Sequence, residues 1–200
     1  LCPCFNSADY VGRMLNSILR QTYKNIEMIC IDDGSSDLTK DIIESYVDEF
    51  YKNDMTLSYI KRNHEGQASA INEGLKHIRG EYFALIDSDD YLLPESVMKR
   101  IGLLENNPDA AVIASDYYIV DEKDLDRVNG RGNDYVGSLA YQPRQFDLLI
   151  AGYSVVTPIG YMIRTSCFTK IFPKKEINKC VEGQNYQILL PLYYYYKRVY

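Results

Sequence analysis

The chain predicts an α/β domain: a doubly wound, mostly parallel sheet flanked by helices. Short apolar runs alternate with stretches whose apolar residues recur every three or four positions, the pattern of successive βαβ units with right-handed crossovers. Two of those runs end abruptly in acidic, turn-forming clusters, Asp32-Asp33-Gly34-Ser35-Ser36-Asp37 and Asp87-Ser88-Asp89-Asp90. With 46% of its 200 residues hydrophobic and 25% charged, the chain can bury a core without disulfide staples.

Leu1-Cys2-Pro3 reads as the end of a strand that begins before the chain does. Residues 8–21 follow as a helix, with Val11, Met14, Leu15, Ile18 and Leu19 on one face. Residues 26–31 form a strand. The acidic cluster after them supplies a turn and an N-cap, Ser36 or Asp37, for a helix carrying Ile42, Ile43, Tyr46, Val47 and Phe50. A strand at 57–61 leads through Arg62-Asn63-His64-Glu65-Gly66 into a helix at 67–78 that Gly80 stops. Residues 82–86 make a buried strand. Pro94 then occupies the first turn of a helix reaching Asn106, and 111–115 is a fifth strand. Beyond Tyr117 the pattern loosens: 121–142 reads as a long mobile surface loop, 143–151 as a short helix, 155–164 as a strand, and 184–197 as a helix bent at Pro191. The apolar run at the end carries no stop signal, so the chain is read as part of a longer protein. Residues 1–115 form its first half, and 116–200 a second half cut short at its C-terminus.

The net charge of −6 excludes a nonspecific nucleic-acid binder, which needs a basic stripe to displace counterions. The five cysteines, Cys2, Cys4, Cys30, Cys167 and Cys180, are scattered and contain no C-x-x-C pair, so they read as reduced thiols of a cytoplasmic protein rather than zinc ligands. No signal peptide and no run of about 18 apolar residues is present.

In doubly wound sheets ligands bind outside the carboxyl ends of the strands, and both acidic clusters stand there. Alone, each is a turn with a helix cap. As a calcium loop each fails at the sharp sixth position, which is Leu92 counted from Asp87 and Leu38 counted from Asp33. Carboxylates after a buried strand also suit Mg²⁺ or Mn²⁺, with a bound diphosphate completing the coordination. The Asp32-Asp33 pair suits a nucleobase edge, a ribose, or a phosphoacceptor pocket. The phosphoacceptor reading leaves the second acidic loop and the long C-terminal half unexplained.

Taken in order, Pro3-Cys4-Phe5-Asn6, Gln21-Thr22-Tyr23-Lys24-Asn25, the Asp32 cluster, Asn63-His64-Glu65-Gly66, Asn72-Glu73-Gly74 and the Asp87 cluster with Pro94 resemble the inverting family 2 nucleotide-sugar glycosyltransferases of GT-A, Rossmann-like fold. The resemblance covers about the first 110 residues, making residues 1–115 the donor-binding half and 116–200 the acceptor side. It implies that Pro3, Phe5 and Asn6 border the nucleobase. Asp32 and Asp33 would face base and ribose, with Asn63 and Gly66 beside them. Asp87 would approach the ribose, with Ser88 beside it among the donor-binding residues. Asp89, with Asp87, would hold the Mn²⁺ or Mg²⁺, while Asp90 assists the metal or caps the next helix. One departure is Ile71, where many relatives place Arg before Asn72.

Inverting transfer also needs a group to take the acceptor's proton. Where relatives carry a late Glu-Asp motif, this chain has Gln184-Asn185, and an amide cannot serve. Glu182 is the nearby carboxylate and the candidate catalytic base. The implied activity is hexosyl-type transfer from a nucleoside diphosphate sugar, UDP-linked, to a glycan, lipid-linked or other hydroxyl acceptor in cell-surface polysaccharide or glycoconjugate synthesis. A nucleotide-sugar-binding module that has lost its base is the rival. The run Tyr193-Tyr194-Tyr195-Tyr196 with Lys197 and Arg198 reads first as a helix face packed on the sheet. It also suits a saccharide platform or a membrane interface. Peripheral association at the inner face of the membrane and a homodimer complete the expectations.

Overall fold

The computed structural model describes residues 1–132, 134, 137–138, 145–151, 157–179 and 183–200. Strands β1 (Cys2–Cys4), β2 (Glu27–Asp32) and β3 (Thr56–Lys61) are parallel, in register Cys2 to Cys30 and Glu27 to Thr56. The second group contains β4 (Tyr82–Phe83), β5 (Ala110–Ala114), β8 (Tyr161–Arg164) and β9 (Lys197–Val199), in the order β4-β8-β5-β9. Strand β8 runs antiparallel to both β4 and β5, whereas β9 is parallel to β5. Hydrogen bonds from the Leu1 nitrogen to the Ala84 carbonyl and from the Ile86 N–H to the Leu1 carbonyl, each 3.0 Å, join the groups. The expected strand at 82–86 is thus laddered first to β8 and then to β1. Because β4 and β5 are both antiparallel to β8, they point the same way, and their carboxyl ends lie at one sheet edge.

The alternation along β2 sorts side chains to two faces. Ile29 and Ile31 join a core cluster with α4 (Gln67–His77), α7 (Thr165–Ile171) and α8 (Gln184–Tyr195). Met28 and Cys30 join the opposite cluster with α1 (Val11–Leu19), α2 (Thr39–Ser45) and α3 (Val47–Lys52). Helix α5 (Ser96–Glu105) covers β5 through Ile101 and Leu104, and α6 (Gln145–Ile150) buries Leu149 against the first cluster. Cys2, Cys4, Cys30 and Cys167 are buried free thiols. Among the described residues no helix is long and apolar enough to cross a membrane.

Several expectations shift. The single helix expected through 37–50 is two, meeting at Tyr46, whose N–H bonds the Ile43 carbonyl three residues back and whose hydroxyl accepts the Asn16 side-chain N–H at 2.7 Å. Pro94 precedes α5 rather than entering it, and its carbonyl accepts the Thr22 N–H. The loop expected from 121 contains a strand: β6 (Tyr118–Val120) and β7 (Val128–Arg131) pair antiparallel as a hairpin. Its polar turn masked the β-branched residues Ile119, Val120 and Val128 on either side. Of the strand expected at 155–164, residues 155 and 156 lie outside the described residues, Pro158–Gly160 is a 3₁₀ turn and Tyr161–Arg164 forms β8. In the tyrosine run, Tyr193 and Tyr196 pack on the core cluster while Tyr194 and Tyr195 are exposed.

Candidate functional site

The parallel strands deliver the acids to one edge, and protein donors hold them there. Asp32 ends β2 fully buried. Its Oδ1 accepts the Ser35 N–H at 2.8 Å and its Oδ2 accepts the Tyr59 hydroxyl at 2.5 Å. Burial first, and then the bond and charge of Asp32, push the Tyr59 phenol well above its ordinary pKa, so it stays a donor. Asp33, 3% exposed, accepts the Glu65 N–H at 3.1 Å and the Gly66 N–H at 2.8 Å. His64 Nδ1 lies 2.8 Å from Asp33 Oδ2. The carboxylate therefore clamps the 63–66 loop against the end of β2.

Clamping carries His64 beneath Phe5, whose half-exposed ring stacks on the imidazole at a centroid separation of 4.3 Å. The turn after β1 that presents Phe5 needs Asn6 at φ +47°, a left-handed conformation Asn tolerates. Asn6 is fixed further by its N–H to Ser35 Oγ and by its Oδ1, which accepts the Ser36 N–H, both at 2.9 Å. Pro3 sits in β1 opposite Ile31, and Asn63 is exposed on the clamped loop.

The 87–90 loop leaves the neighbouring strand end. Ser88 Oγ lies 2.7 Å from Ser7 Oγ, stitching this loop to the β1 turn. Gln67, opening α4, donates to Asp87 Oδ1 at 3.3 Å. Arg13 on α1 donates to the Asp89 carbonyl at 2.6 Å. Desolvation, then the charges of Asp90 and Asp89, raise the Asp87 pKa to about 6. Asp90 is likewise raised to about 6 by burial and by Asp89, with Arg13 opposing. These carboxylates are crowded, partly desolvated and undercompensated, which is the donor set a hard divalent cation relieves. Among the described residues no group of three or more His, Cys, Asp or Glu side chains is arranged to hold a metal by itself. Two aspartates plus ligand oxygens remain compatible with that geometry.

Glu182 lies outside the described residues. Its neighbour Asn185, on the first turn of α8, accepts the Tyr161 hydroxyl at 2.7 Å. Tyr161 is buried, and burial and then the charge of Asp87 raise its pKa. Ile71 is 2% exposed in the core, and Asn72 hydrogen-bonds both N–H and carbonyl of Ile177 at 2.8 Å, pinning the segment before α8 to α4. Tyr59, Ser7, Gln67 and Arg13 are site residues that sequence reasoning passed over. Each lies 20 or more positions from its partner, and only their polar character at the edge of an apolar stripe hinted at them.

This architecture has close parallels among solved structures. Staphylococcus aureus TarS in complex with UDP superposes with a TM-score of 0.75 at 19% identity, covering 100% of this chain and 56% of that one. A mannosyltransferase of Pyrobaculum calidifontis in complex with GDP-Man and Mn²⁺ gives 0.75 at 15% identity, covering 99% and 52%. Both show the GT-A fold. In sequence, an uncharacterized glycosyltransferase of Rickettsia conorii is 35% identical over 186 residues, 86% of this chain and 28% of that protein. Glycosyltransferase GlyG of Streptococcus pneumoniae is 35% identical over 122 residues, 61% and 39% respectively. The chain thus spans well under half the length of these curated relatives. The family description "Glycosyl transferase family 2" matches residues 1–172, and the chain belongs to that family of glycosyltransferases.

Proposed function

We propose that the domain transfers a glycosyl group from a nucleoside diphosphate sugar, UDP-linked, to a hydroxyl acceptor with inversion, using Mn²⁺ or Mg²⁺. The observation that carries this is the pairing, at one sheet edge, of the Asp32–Asp33 cluster with the crowded carboxylates at 87–90. Structures of the same fold were solved with UDP, with UDP-GlcNAc and with GDP-Man and Mn²⁺, which supports a nucleotide sugar as donor.

In this reading Phe5, backed by His64, offers its exposed face to the nucleobase. Pro3, Asn6, Asn63 and Gly66 shape the walls beside it. The Asp32 and Asp33 clamps keep that platform rigid and set the rim facing the ribose. Asp87 and Ser88 reach the ribose and diphosphate, and Asp89 with Asp87 would hold the metal. A bound divalent cation would supply Lewis-acid neutralisation of charge on the departing diphosphate. Glu182 is proposed as the general base. The 1–115 half then serves the donor and 116–200 the acceptor, in polysaccharide or glycoconjugate synthesis on the cytoplasmic side, with peripheral membrane contact and dimerisation as further proposals.

Titration of UDP and a panel of UDP-sugars with and without Mn²⁺ tests the donor reading. Saturable binding that Asp89→Asn weakens at least tenfold is expected, and folded protein that binds none of them refutes it. A second reading, a donor-binding module without catalysis, is favoured by Asn185, an amide already committed to Tyr161. Transfer or donor hydrolysis abolished in Glu182→Gln with donor binding intact would dismiss that reading.

A further inference from the structure

A cavity of about 780 Å³ shares Arg13, Asp89 and Asp90 with the site described above, but none of Asp32, Asp33, Asn6, Gly66 or Asp87. One wall is Tyr10 and Arg13 at the start of α1, and the facing wall is the β6–β7 hairpin through Ile119, Val120 and Val128. Asp116 and Tyr117 enter directly after β5, from the same sheet edge as the 87–90 loop. Ligands of open α/β sheets collect at that edge. The volume lies within the roughly 300–1,000 Å³ of small-molecule sites.

The cavity is braced on several sides. Arg100, 7% exposed, lines it and donates to Ser115 Oγ at 2.8 Å and the Ile159 carbonyl at 2.6 Å, joining the end of β5 to the turn before β8. Burial lowers its pKa only to about 10, so it is charged at neutral pH. The Tyr10 hydroxyl donates to Glu122 Oε1 at 2.6 Å, strapping α1 to the hairpin turn. Arg13 lies 5.8 Å from the Tyr10 ring centre and 5.6 Å from that of Tyr91, which holds both rings. The Tyr117 ring rests on Gly132, where a Cβ would come within 2.4 Å of it. Fixed aromatic faces thus stand beside polar groups, and two of the lining residues each hold a buried polar atom without a hydrogen-bond partner among the described residues, Arg13 Nε and Thr157 Oγ1.

A sugar ring is complementary to such walls. Its C–H faces pack on tyrosine rings, and its hydroxyls both donate to carboxylates and accept from guanidinium and threonine donors. Five carboxylates against two guanidinium groups line the space, which disfavours a phosphate-bearing ring and suits an uncharged or amino-substituted one. Sharing Arg13, Asp89 and Asp90 with the site described above places the cavity beside the proposed metal loop, the side from which an acceptor would approach a donor bound as in the reading above. We propose that this cavity is the acceptor subsite and that it seats an uncharged or amino-substituted saccharide ring of the acceptor, an assignment resting on the glycosyltransferase reading above. In the transfer, the acceptor hydroxyl oxygen bonds to the anomeric carbon. The bond from that carbon to the diphosphate oxygen breaks with its electron pair leaving on the nucleoside diphosphate, and the hydroxyl proton passes to the general base.

The test uses saturation-transfer NMR on the folded protein with UDP and Mn²⁺. The probes are methyl glycosides of glucose, galactose, N-acetylglucosamine and glucosamine, with glucose 6-phosphate as the charged arm. At least one uncharged or amino glycoside is expected to bind. Val120→Trp, which fills the cavity, should weaken it at least tenfold while UDP affinity stays within twofold. Tyr118→Ala, at a half-exposed lining position that tolerates truncation, should weaken the same glycoside at least threefold and guards against misfolding of the first variant. The proposal is overturned if UDP binds and no glycoside does, if only the phosphorylated sugar binds, or if binding is unchanged in both variants. Glycoside binding that Val120→Trp removes, in a protein that fails to bind UDP, would leave the cavity assigned and remove the donor reading instead.

Discussion

Asp33 is the most consequential single clamp at the site, and its removal has a calculable cost. Asp33→Ala strips the acceptor from two backbone N–H groups, those of Glu65 and Gly66, and from the His64 imidazole. Hydrogen bonds to a charged group contribute about 1.5–3 kcal/mol each, and loop donors that regain partial hydration recover some of this. The expected loss is therefore about 2–4 kcal/mol for Asp33→Ala and about 1–2 kcal/mol for Asp33→Asn, which keeps one carbonyl acceptor. Gly66 has φ +90° and ψ 163°, a region essentially reserved for glycine, so Gly66→Ala should cost about 1–3 kcal/mol through backbone strain alone. Since the Gly66 N–H is one of Asp33's donors, the Asp33→Ala, Gly66→Ala pair should fall short of additivity by about 0.5–2 kcal/mol. Equilibrium urea unfolding of the five proteins, wild type, Asp33→Ala, Asp33→Asn, Gly66→Ala and the double variant, measures all of this. A loss under about 0.5 kcal/mol for Asp33→Ala, or strict additivity in the cycle, would refute the clamp.

Three further outcomes are expected. Asp87 and Asp90 have folded pKa values raised to about 6, so their contribution to stability is full below about pH 4 and is lost as pH rises through 6. The metal-free protein should lose about 2–3 kcal/mol across that window by calorimetry, and Asp90→Asn should flatten the slope. An identical slope in Asp90→Asn contradicts this. For the same reason Mn²⁺ affinity should climb with pH up to about 6–7 and then level, as isothermal titration would show, whereas a flat profile from pH 5 to 7.5 argues that those carboxylates do not hold the metal. Tyr59→Phe removes the 2.5 Å donor from fully buried Asp32 and should destabilise by about 1.5–3 kcal/mol in chemical denaturation; a change within 0.5 kcal/mol would make that bond dispensable.

What the sequence made legible is what local pattern encodes. The stripe Val11, Met14, Leu15, Ile18 marks α1, and the apolar run into Asp32 marks both strand and strand end, because period and punctuation act over a few residues. The partners of those acids were not legible. Asp33 meets Gly66 across 33 positions, Ser7 meets Ser88 across 81, and Asn72 meets Ile177 across 105. Such pairings follow from sheet order, which no local window contains. The antiparallel entry of β8 between β4 and β5 was hidden for the same reason, and the β6–β7 hairpin because its turn is polar enough to read as loop.

That asymmetry bears on how the two halves of the site can vary. In the proposed donor cleft the acids are consumed by structure: Asp32 and Asp33 carry hydrogen bonds that hold the loop and the β1 turn, so changing them costs fold as well as any contact to a ligand. On the other side of the 87–90 loop the cavity is framed by Arg100 and the Tyr10–Glu122 strap, while the hairpin side chains that face the space, such as Tyr118 and Val128, are about half exposed. Substituting those positions disturbs little packing. If the proposed assignments hold, a fixed platform for the donor beside a tolerant wall lets specificity for the second substrate change without rebuilding the first. Exchanging the Tyr118 and Val128 side chains should therefore alter which saccharide binds while leaving urea stability within about 0.5 kcal/mol, and a loss comparable to that of Asp33→Ala would show the hairpin to be structural instead.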